Sequence, residues 1–126
     1  RSGEKKFGSR VDLDIIKKTA TTLSAPITAN GGIYTGLDAQ KILKETGAAA
    51  VMPGRGLLGN PWIIPEILSI LSKRSFTTPI LQQKKDICLQ HLHLLVEFYG
   101  ERHAVLKMRS ILPHYFSSCL FNGAAA

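Results

Sequence analysis

The sequence has only two cysteines, Cys88 and Cys119, and they lie far apart without a CxxC spacing. It has no apolar run near the roughly 20 residues that a membrane span requires. It shows no basic-then-apolar leader before a small-residue cleavage site. These absences argue against a disulfide-stabilised secreted protein and against a membrane protein. They predict a reduced, cytoplasmic protein with no membrane partner.

Acidic residues are also scarce, with 9 Asp and Glu against 16 Lys and Arg, so the formal net charge is +7. A basic protein attracts polyanions, and nucleic acid is the leading candidate. The basic residues are spread along the chain, which is a weaker signal than one dense patch. With 44% hydrophobic and 20% charged residues, the composition indicates a globular protein and not a disordered one.

The stretch from Pro26 to Trp62 predicts a strand–loop–helix–strand–loop unit. Its two short apolar runs end in glycine-bearing turns at residues 30–32 and 53–56. Between them, Thr35 is a suitable N-cap for a helix that Gly47 would end. Small apolar residues at 48–52 predict a strand buried on both faces, as in a parallel sheet.

Helices surround this unit. Asp12 is a suitable N-cap for a helix from Leu13 to about Leu23. Asn60-Pro61 predicts the start of another helix, which would continue to about Leu71. After a linker at 73–79, helices at about 82–99 and 101–119 would pair in antiparallel fashion around Gly100. The predicted apolar stripes of this pair are Cys88, Leu92, Leu95 and Tyr99 on the first helix, and Val105, Met108, Leu112 and Phe116 on the second.

The pattern is therefore α/β up to about residue 75 and all-α after it. Two strands cannot close a sheet, and a (β/α)₈ barrel needs eight. The chain also begins at Arg1 without an initiator Met, and residues 123–126 follow an apolar run with no clear stop. We expect this chain to be part of a longer protein.

The two glycine turns suggest a phosphate site. Loops at the carboxyl ends of neighbouring parallel strands lie side by side, and glycine allows the backbone to approach a phosphate closely. Arg55 could add a bidentate, charge-assisted contact. The alternative is that these glycines only allow tight turns.

The same residues resemble the tRNA-dihydrouridine synthases, and the resemblance continues through the helical part. The motifs that carry it are Asn30-Gly31-Gly32-Ile33, Thr46-Gly47-Ala48, Val51-Met52-Pro53-Gly54-Arg55-Gly56, Gly59-Asn60-Pro61-Trp62-Ile63, Phe98-Tyr99-Gly100-Glu101, Met108-Arg109, Tyr115 and Gly123-Ala124-Ala125. They span nearly the whole chain, in order. Gly32 departs from the aspartate that many members carry, and Pro53 departs from the usual aliphatic residue.

The resemblance implies the C-terminal portion of an FMN-binding (β/α)₈ TIM barrel, with its last two strands, at residues 1–74. An incomplete helical tRNA-binding domain would follow at 75–126. The family reduces the C5–C6 bond of uridine in tRNA, with NADPH reducing the flavin first, and the complete enzyme is expected to be a monomer. Motif matching gives these site residues: Asn30, Gly31, Gly32, Gly54 and Arg55 for FMN, Lys107 and Arg109 for tRNA, and Arg1 as a weaker flavin candidate.

No catalytic residue is assigned within this chain. The family's catalytic cysteine lies in the first half of the barrel, and neither Cys88 nor Cys119 matches it. Both fall in apolar helical stretches and are expected to be core residues. His91 and His93 point to different faces of a helix, and Cys88 with His91 lacks a second ligand pair, so we expect no metal site.

Three functions therefore remain open for this sequence. The first is a part of a tRNA-dihydrouridine synthase that is inactive alone. The second is a fragment of another FMN-dependent barrel oxidoreductase that acts on a small molecule, which leaves the helical motifs unexplained. The third is a non-catalytic RNA-binding module formed by the helical pair, which predicts salt-dependent RNA affinity without flavin.

Overall fold

The computed structural model describes residues 11–120, with side chains through residue 117. The expectations for Arg1, for residues 121–126 and for the side chain of Cys119 lie outside this described part. The elements within it are α1 (Leu13–Thr22), β1 (Thr28–Asn30), α2 (Gly36–Thr46), β2 (Ala50–Met52), a one-turn 3-10 helix (Arg55–Leu57), α3 (Ile63–Leu71), α4 (Leu81–Tyr99) and α5 (Glu101–Leu120).

The ends of the first two helices follow from their capping residues. Asp12 caps α1, because its carboxylate accepts a hydrogen bond from the backbone N–H of Ile15 at 3.2 Å. Thr35 caps α2, and Gly47 ends it in the left-handed conformation with φ 69°. Glycine adopts that conformation without the steric cost that a Cβ adds. These predicted helix boundaries are confirmed.

The two strands form a parallel pair with α2 as the crossover between them. In the register, Thr28 lies opposite Ala50, Ala29 opposite Val51, and Asn30 opposite Met52. The predicted strand–helix–strand unit is therefore confirmed. Both strands end at the same edge of the sheet, so the two glycine loops begin beside each other.

The prediction that residues 48–52 form a strand buried on both faces is wrong for this structure. Val51 is half-buried, and the side chain of Met52 is 53% exposed. Ala29 on β1, by contrast, is only 2% exposed. The helices cover the side of the sheet that Ala29 faces, and within residues 11–120 no further strand extends it.

The predicted start of α3 at Asn60-Pro61 is also wrong, because the helix begins at Ile63. The segment before it folds into turns, with Gly59 at φ 60°. A Cβ on Gly59 would lie 2.5 Å from the backbone nitrogen of Tyr115. This close approach to α5 holds the segment away from the helical path.

The described chain divides into two compact units. The first comprises the described residues through Leu57 together with Ile63–Phe76, and the second comprises Leu58–Trp62 and the described residues from Thr77 onward. The core of the first unit brings together residues from both strands, α2, α3 and the intervening loops: Ala29, Ile33, Ala39, Ile42, Ala48, Ile63 and Ile67. The proposed domain boundary at residues 74 and 75 stays a prediction.

The second unit is built on α4 and α5, which run antiparallel with Gly100 between them. Lys107 lies over the ring of Tyr99 near the connection, and His91 contacts Tyr115 farther from it. Cys88, Met108 and Tyr115 form the buried centre of the pair. None of the helices in the described part combines the length and the hydrophobicity that a membrane crossing requires.

The predicted stripe on α5 is partly wrong. Val105 and Leu112 are 46% and 44% exposed, whereas Ala104 and Tyr115 are buried. Tyr99 on α4 is also substantially exposed. The buried face of α5 is therefore displaced by one residue from the predicted one, while Met108 belongs to both.

Candidate functional site

The two glycine loops lie side by side at the carboxyl edge of the sheet. One loop follows Asn30, and the other follows Met52, its partner in the parallel register. In parallel α/β proteins this edge is where ligands bind. The five residues that motif matching assigns to FMN, Asn30, Gly31, Gly32, Gly54 and Arg55, thus lie at or just after the ends of two neighbouring strands.

Gly31 and Gly32 have a structural reason to be glycine. Their φ angles are 114° and 70°, which residues with a Cβ rarely adopt. A Cβ would also lie 3.0 Å and 3.2 Å, respectively, from Cγ2 of Val11. The tight-turn interpretation therefore accounts for these two glycines by itself.

Gly56 joins the two loops. It is buried, and a Cβ at this position would overlap the carbonyl oxygen of Ile33 in the first loop and lie 3.1 Å from Cδ1 of Ile63. Glycine is thus required here because the second loop packs directly on the backbone of the first. The buried ring of Pro53 lies at the start of the same loop.

Gly54 differs from these three glycines. It is exposed, its φ lies outside the left-handed region, and no atom lies within 4 Å of where its Cβ would be. Its carbonyl accepts the Leu57 N–H at 3.0 Å, which closes the one-turn helix. Neither the backbone conformation nor the packing requires glycine here, so the open space beside it fits a ligand that approaches the backbone.

Arg55 follows Gly54 and reaches toward the first loop. Its side chain is exposed, and its guanidinium carbon lies 6.0 Å from the ring centroid of Tyr34. This distance is at the outer limit of a cation–π contact. The contact places a cation near Tyr34 of the first loop, on the residue that follows Gly54 in the chain.

The N-terminus of α2 already has carboxylate partners. Asp38 Oδ2 accepts the N–H groups of Tyr34 at 3.1 Å and Thr35 at 2.9 Å. Thr35 Oγ1 accepts the Asp38 N–H at 3.1 Å, and Glu66 Oε1 accepts the Gly36 N–H at 2.7 Å. Carboxylates at a helix N-terminus satisfy its free donors and its positive dipole. A phosphate is therefore better placed at the second loop than at this helix end.

Tyr34 and Glu66 were not predicted from the sequence as site residues. A glutamate in the first turn of α3 resembles an ordinary partner of the helix dipole. Its contact with Gly36 joins residues 30 positions apart, and no local pattern signals such a contact. Tyr34 carried a weak signal, since it is an aromatic residue directly after the glycine turn.

Lys107 and Arg109 lie on α5 in the second unit. The ammonium of Lys107 is 4.4 Å from the ring centroid of Tyr99, within cation–π range. Arg109 is exposed and lines an open surface groove with Glu101, Arg102, Val105 and Leu106. Residues two apart on a helix point in different directions. The two cations thus do not form a single binding point.

Cys88 is buried between α4 and α5, which confirms it as a core residue. Burial raises the pKa of its thiol. Burial, and then the neighbouring Cys88, also raise the pKa of Tyr115, whose hydroxyl lies 3.2 Å from Nδ1 of His91. The ring of Trp62 meets that of Tyr115 edge-on, with centroids 6.3 Å apart. A thiol with a raised pKa is a poor nucleophile, so this cluster is a packed core.

Within residues 11–120, no three His, Cys, Asp or Glu side chains are grouped so that they could hold a metal ion. His91 contacts Tyr115, in a packing arrangement with ring centroids 6.2 Å apart.

Comparison with known proteins identifies what the chain is similar to. The family model described as "Dihydrouridine synthase (Dus)" matches residues 1–126. A "tRNA-dihydrouridine synthase B" of Pasteurella multocida is 35% identical over 125 residues, covering 92% of this chain and 38% of that protein. A "Probable tRNA-dihydrouridine synthase" of Rhizobium leguminosarum is 35% identical over 109 residues, covering 86% of this chain and 32% of that protein.

A third relative, "tRNA-dihydrouridine synthase B" of Vibrio cholerae, is 39% identical over 97 residues. That match covers 75% of this chain and 30% of the relative. The chain thus spans less than two fifths of the length of these curated relatives. The matches confirm the resemblance that the sequence motifs carry.

Proposed function

Because the chain belongs to the dihydrouridine synthase family, we propose that it is part of a flavin-dependent tRNA-dihydrouridine synthase. In this proposal it holds the phosphate end of FMN and contributes to tRNA binding. The observation that carries the proposal is the open backbone of Gly54 next to Arg55, on a loop packed against a second glycine loop. The family match supports FMN as the ligand.

The donors at this edge suit a phosphate monoester. Arg55 offers a charged, planar donor group, and the exposed backbone at Gly54 allows an oxygen to approach. Asn30, Gly31 and Gly32 would lie along the flavin from the neighbouring loop. When bound, FMN would supply the reducing equivalents for the uridine C5–C6 bond, and NADPH would reduce the flavin again.

The architecture proposed for the complete protein is a (β/α)₈ barrel followed by a helical domain. Residues 1–74 would supply the last two strands of the barrel, and residues 75–126 part of the helical domain. The parallel pair with its helical crossover supports this proposal. The greater length of the relatives also supports it.

The partner proposed for the helical part is tRNA, with Lys107 and Arg109 as contacts to its backbone. The net charge of +7 favours a polyanion, and both cations lie on the same helix. The names of the relatives also support a tRNA substrate. We extend the proposal to a monomeric, cytoplasmic enzyme.

The groups that act on the uracil are proposed to lie outside this chain. The candidate thiol with a described side chain, Cys88, is buried against Met108 and Tyr115 and cannot reach a base. The chain's own residues therefore bind and orient the cofactor, and none is assigned a proton-transfer step. We propose that the chain has no synthase activity alone.

The test of this function is FMN binding and uridine reduction by the complete encoded protein. Arg55→Ala should weaken FMN binding by roughly ten- to a hundredfold, since a hydrogen bond to a charged group contributes about 1.5–3 kcal/mol. Arg74→Ala, which removes an exposed arginine outside the glycine loops, is the control and should leave the affinity unchanged. Flavin fluorescence quenching measures both.

Two results would contradict the proposal. One is a complete protein that binds no FMN at all. The other is an Arg55→Ala variant that binds FMN as tightly as the unmodified protein, which would remove this loop from the phosphate site.

A further inference from the structure

Glu66 on α3 reaches across to the first residue of α2. Its Oε1 accepts the backbone N–H of Gly36 at 2.7 Å, a short bond of the kind that a charged acceptor forms. We propose that Glu66 is a positioning residue that holds the two glycine loops in register and so sets the affinity of the phosphate site. The proposal rests on the proposed flavin function for its ligand, but its structural half can be tested without flavin.

The location of the bond gives it this role. Helix α2 begins at Gly36, directly after the first glycine loop, and α3 begins at Ile63, after the second. The Glu66–Gly36 bond therefore ties the end of one loop to the helix that follows the other. Any drift of α3 relative to α2 would change the spacing of the loops.

The helices also approach closely at position 36, where an added side chain would force Ile70 and Glu66 to shift. A Cβ on Gly36 would lie 2.5 Å from Cδ1 of Ile70 and 3.1 Å from Cγ of Glu66. Glu66 and Ile70 are four residues apart on α3 and thus share a face. The backbone of α2 is held against that face by both packing and a hydrogen bond.

A second contact of α3 lies one turn before Glu66. Ile63 is fully buried, and it packs beside Gly56 where the second loop touches the carbonyl of Ile33. Helix α3 thus contacts the junction of the two loops through Ile63 and the start of α2 through Glu66. Two separate points of contact fix a rigid element more firmly than one.

The charge of Glu66 adds a second effect. With Asp38, it places two carboxylates at the N-terminus of α2, the end that would otherwise attract an anion. Arg55, on the second loop, then offers a phosphate a more favourable environment than the start of α2 does. This charge effect at a helix end is screened by solvent, and we expect it to change FMN affinity by about threefold at most.

The experiment compares Glu66→Ala, Glu66→Asp and Glu66→Gln in the complete encoded protein. Glutamine keeps an acceptor oxygen at the same reach, whereas alanine removes it and aspartate withdraws it by one methylene. Glu45→Ala, which removes an exposed carboxylate at the other end of α2, is the matched control. FMN affinity is measured by fluorescence quenching, and amide hydrogen exchange is followed in the ligand-free protein at residues 31–36 and 54–57.

The expected result is an FMN dissociation constant about tenfold higher for Glu66→Ala. Glu66→Asp should also raise the FMN dissociation constant. For Glu66→Gln, that constant should stay within about threefold of the value for the unmodified protein. Amide hydrogen exchange should accelerate in both loops of the Glu66→Ala variant and in neither loop of the Glu66→Gln variant. Rescue by glutamine separates positioning from a general loss of folding. If Glu66→Ala does not fold, Glu66→Asp against Glu66→Gln decides the question.

The proposal is overturned if Glu66→Ala and Glu66→Asp bind FMN like the unmodified protein. It is also overturned if exchange accelerates at Gly36 alone, because the loops would then be uncoupled. If the unmodified protein binds no FMN, the proposed function fails, and exchange alone decides the role of Glu66. Acceleration in both loops then supports the coupling, and its absence refutes it.

Discussion

Gly54 and Gly56 lie two residues apart in one loop, yet the structure requires glycine only at Gly56. A side chain at Gly56 would overlap the carbonyl oxygen of Ile33, whereas one at Gly54 would meet no atom within 4 Å. A glycine without a structural reason is the better indicator of a ligand, because its missing Cβ leaves the backbone accessible.

The pair gives a direct test at the residue scale. Gly56→Ala should lower the free energy of unfolding by about 1–3 kcal/mol, since the added methyl forces the loops apart. Gly54→Ala should leave stability unchanged or raise it slightly, because the position is open and has an ordinary φ. The Gly54 variant should instead weaken FMN binding. Urea unfolding followed by circular dichroism measures the first effect, and flavin titration measures the second.

The opposite pattern would contradict this assignment. If Gly54→Ala unfolded the protein while Gly56→Ala did not, the packing assigned to the second loop would be incorrect. If Gly54→Ala folded and bound FMN at full affinity, the open space beside Gly54 would not hold the phosphate.

At the scale of elements, local signals defined some boundaries and missed others. Asp12, Thr35 and Gly47 act through bonds or conformations within a few residues, so the ends of α1 and α2 were predictable. The start of α3 was not, because the segment containing Gly59 follows the surface of α5 instead of continuing as helix. That contact involves residues more than fifty positions away, and no capping rule includes it.

The α5 helix shows the same limit for packing faces. The spacing of apolar residues predicted a stripe through Val105 and Leu112, but the buried face passes through Ala104 and Tyr115. Both sets of residues have a spacing that fits the 3.6-residue period, and the two faces differ only by a displacement of about one position. The partner decided between them, because Tyr115 meets His91 and Trp62.

The buried face of this helical pair makes its stability sensitive to alkaline pH. Burial raises the pKa of Cys88 and of Tyr115, so the folded pair retains protons that the unfolded chain releases. Above about pH 8.5, where an ordinary thiol ionises, the free energy of unfolding should therefore fall as pH rises. At neutral pH both groups are protonated in both states, so no such loss is expected there.

Urea unfolding at pH 7 and at pH 10 measures this dependence. Cys88→Ala removes the thiol that ionises first and should reduce the loss between the two pH values. The substitution should lower the free energy of unfolding at pH 7 by about 1 kcal/mol, because the packing of the sulfur is lost. An equal alkaline loss in the variant and in the unmodified chain would exclude the thiol as the cause.

At the scale of the whole molecule, several large apolar side chains stay exposed because no packing within either unit covers them. Leu37, Met52 and Leu68 are each more than half exposed in the first unit. Each of the two strands has only the other as partner within the described residues, so an outer edge of each remains available for pairing. The relatives, which are more than twice as long, provide a reason for such surfaces.

The isolated 126-residue chain should therefore show no uridine reduction and should self-associate as its concentration rises. Analysis of tRNA nucleosides measures the first, and light scattering across a concentration series measures the second. The complete encoded protein, assayed in parallel, is the control and should be active and monomeric. Activity in the isolated chain with stoichiometric flavin would contradict the proposal that the catalytic groups lie elsewhere.

The same preparation separates the remaining alternatives. Affinity for tRNA that falls steeply with salt would support the helical part as an RNA-binding surface, and its absence would favour a small-molecule barrel oxidoreductase. RNA affinity in a complete protein that binds no flavin would favour the non-catalytic module.

The sequence by itself determined the family, the strand–helix–strand unit and the positions of the two glycine loops, because those features depend on local motifs and on their order. Only the tertiary structure decided which glycines are required by packing, which face of α5 is buried and what Glu66 contacts. Each of these depends on residues distant in sequence that meet at one point. Side-chain spacing along a single element does not specify such contacts.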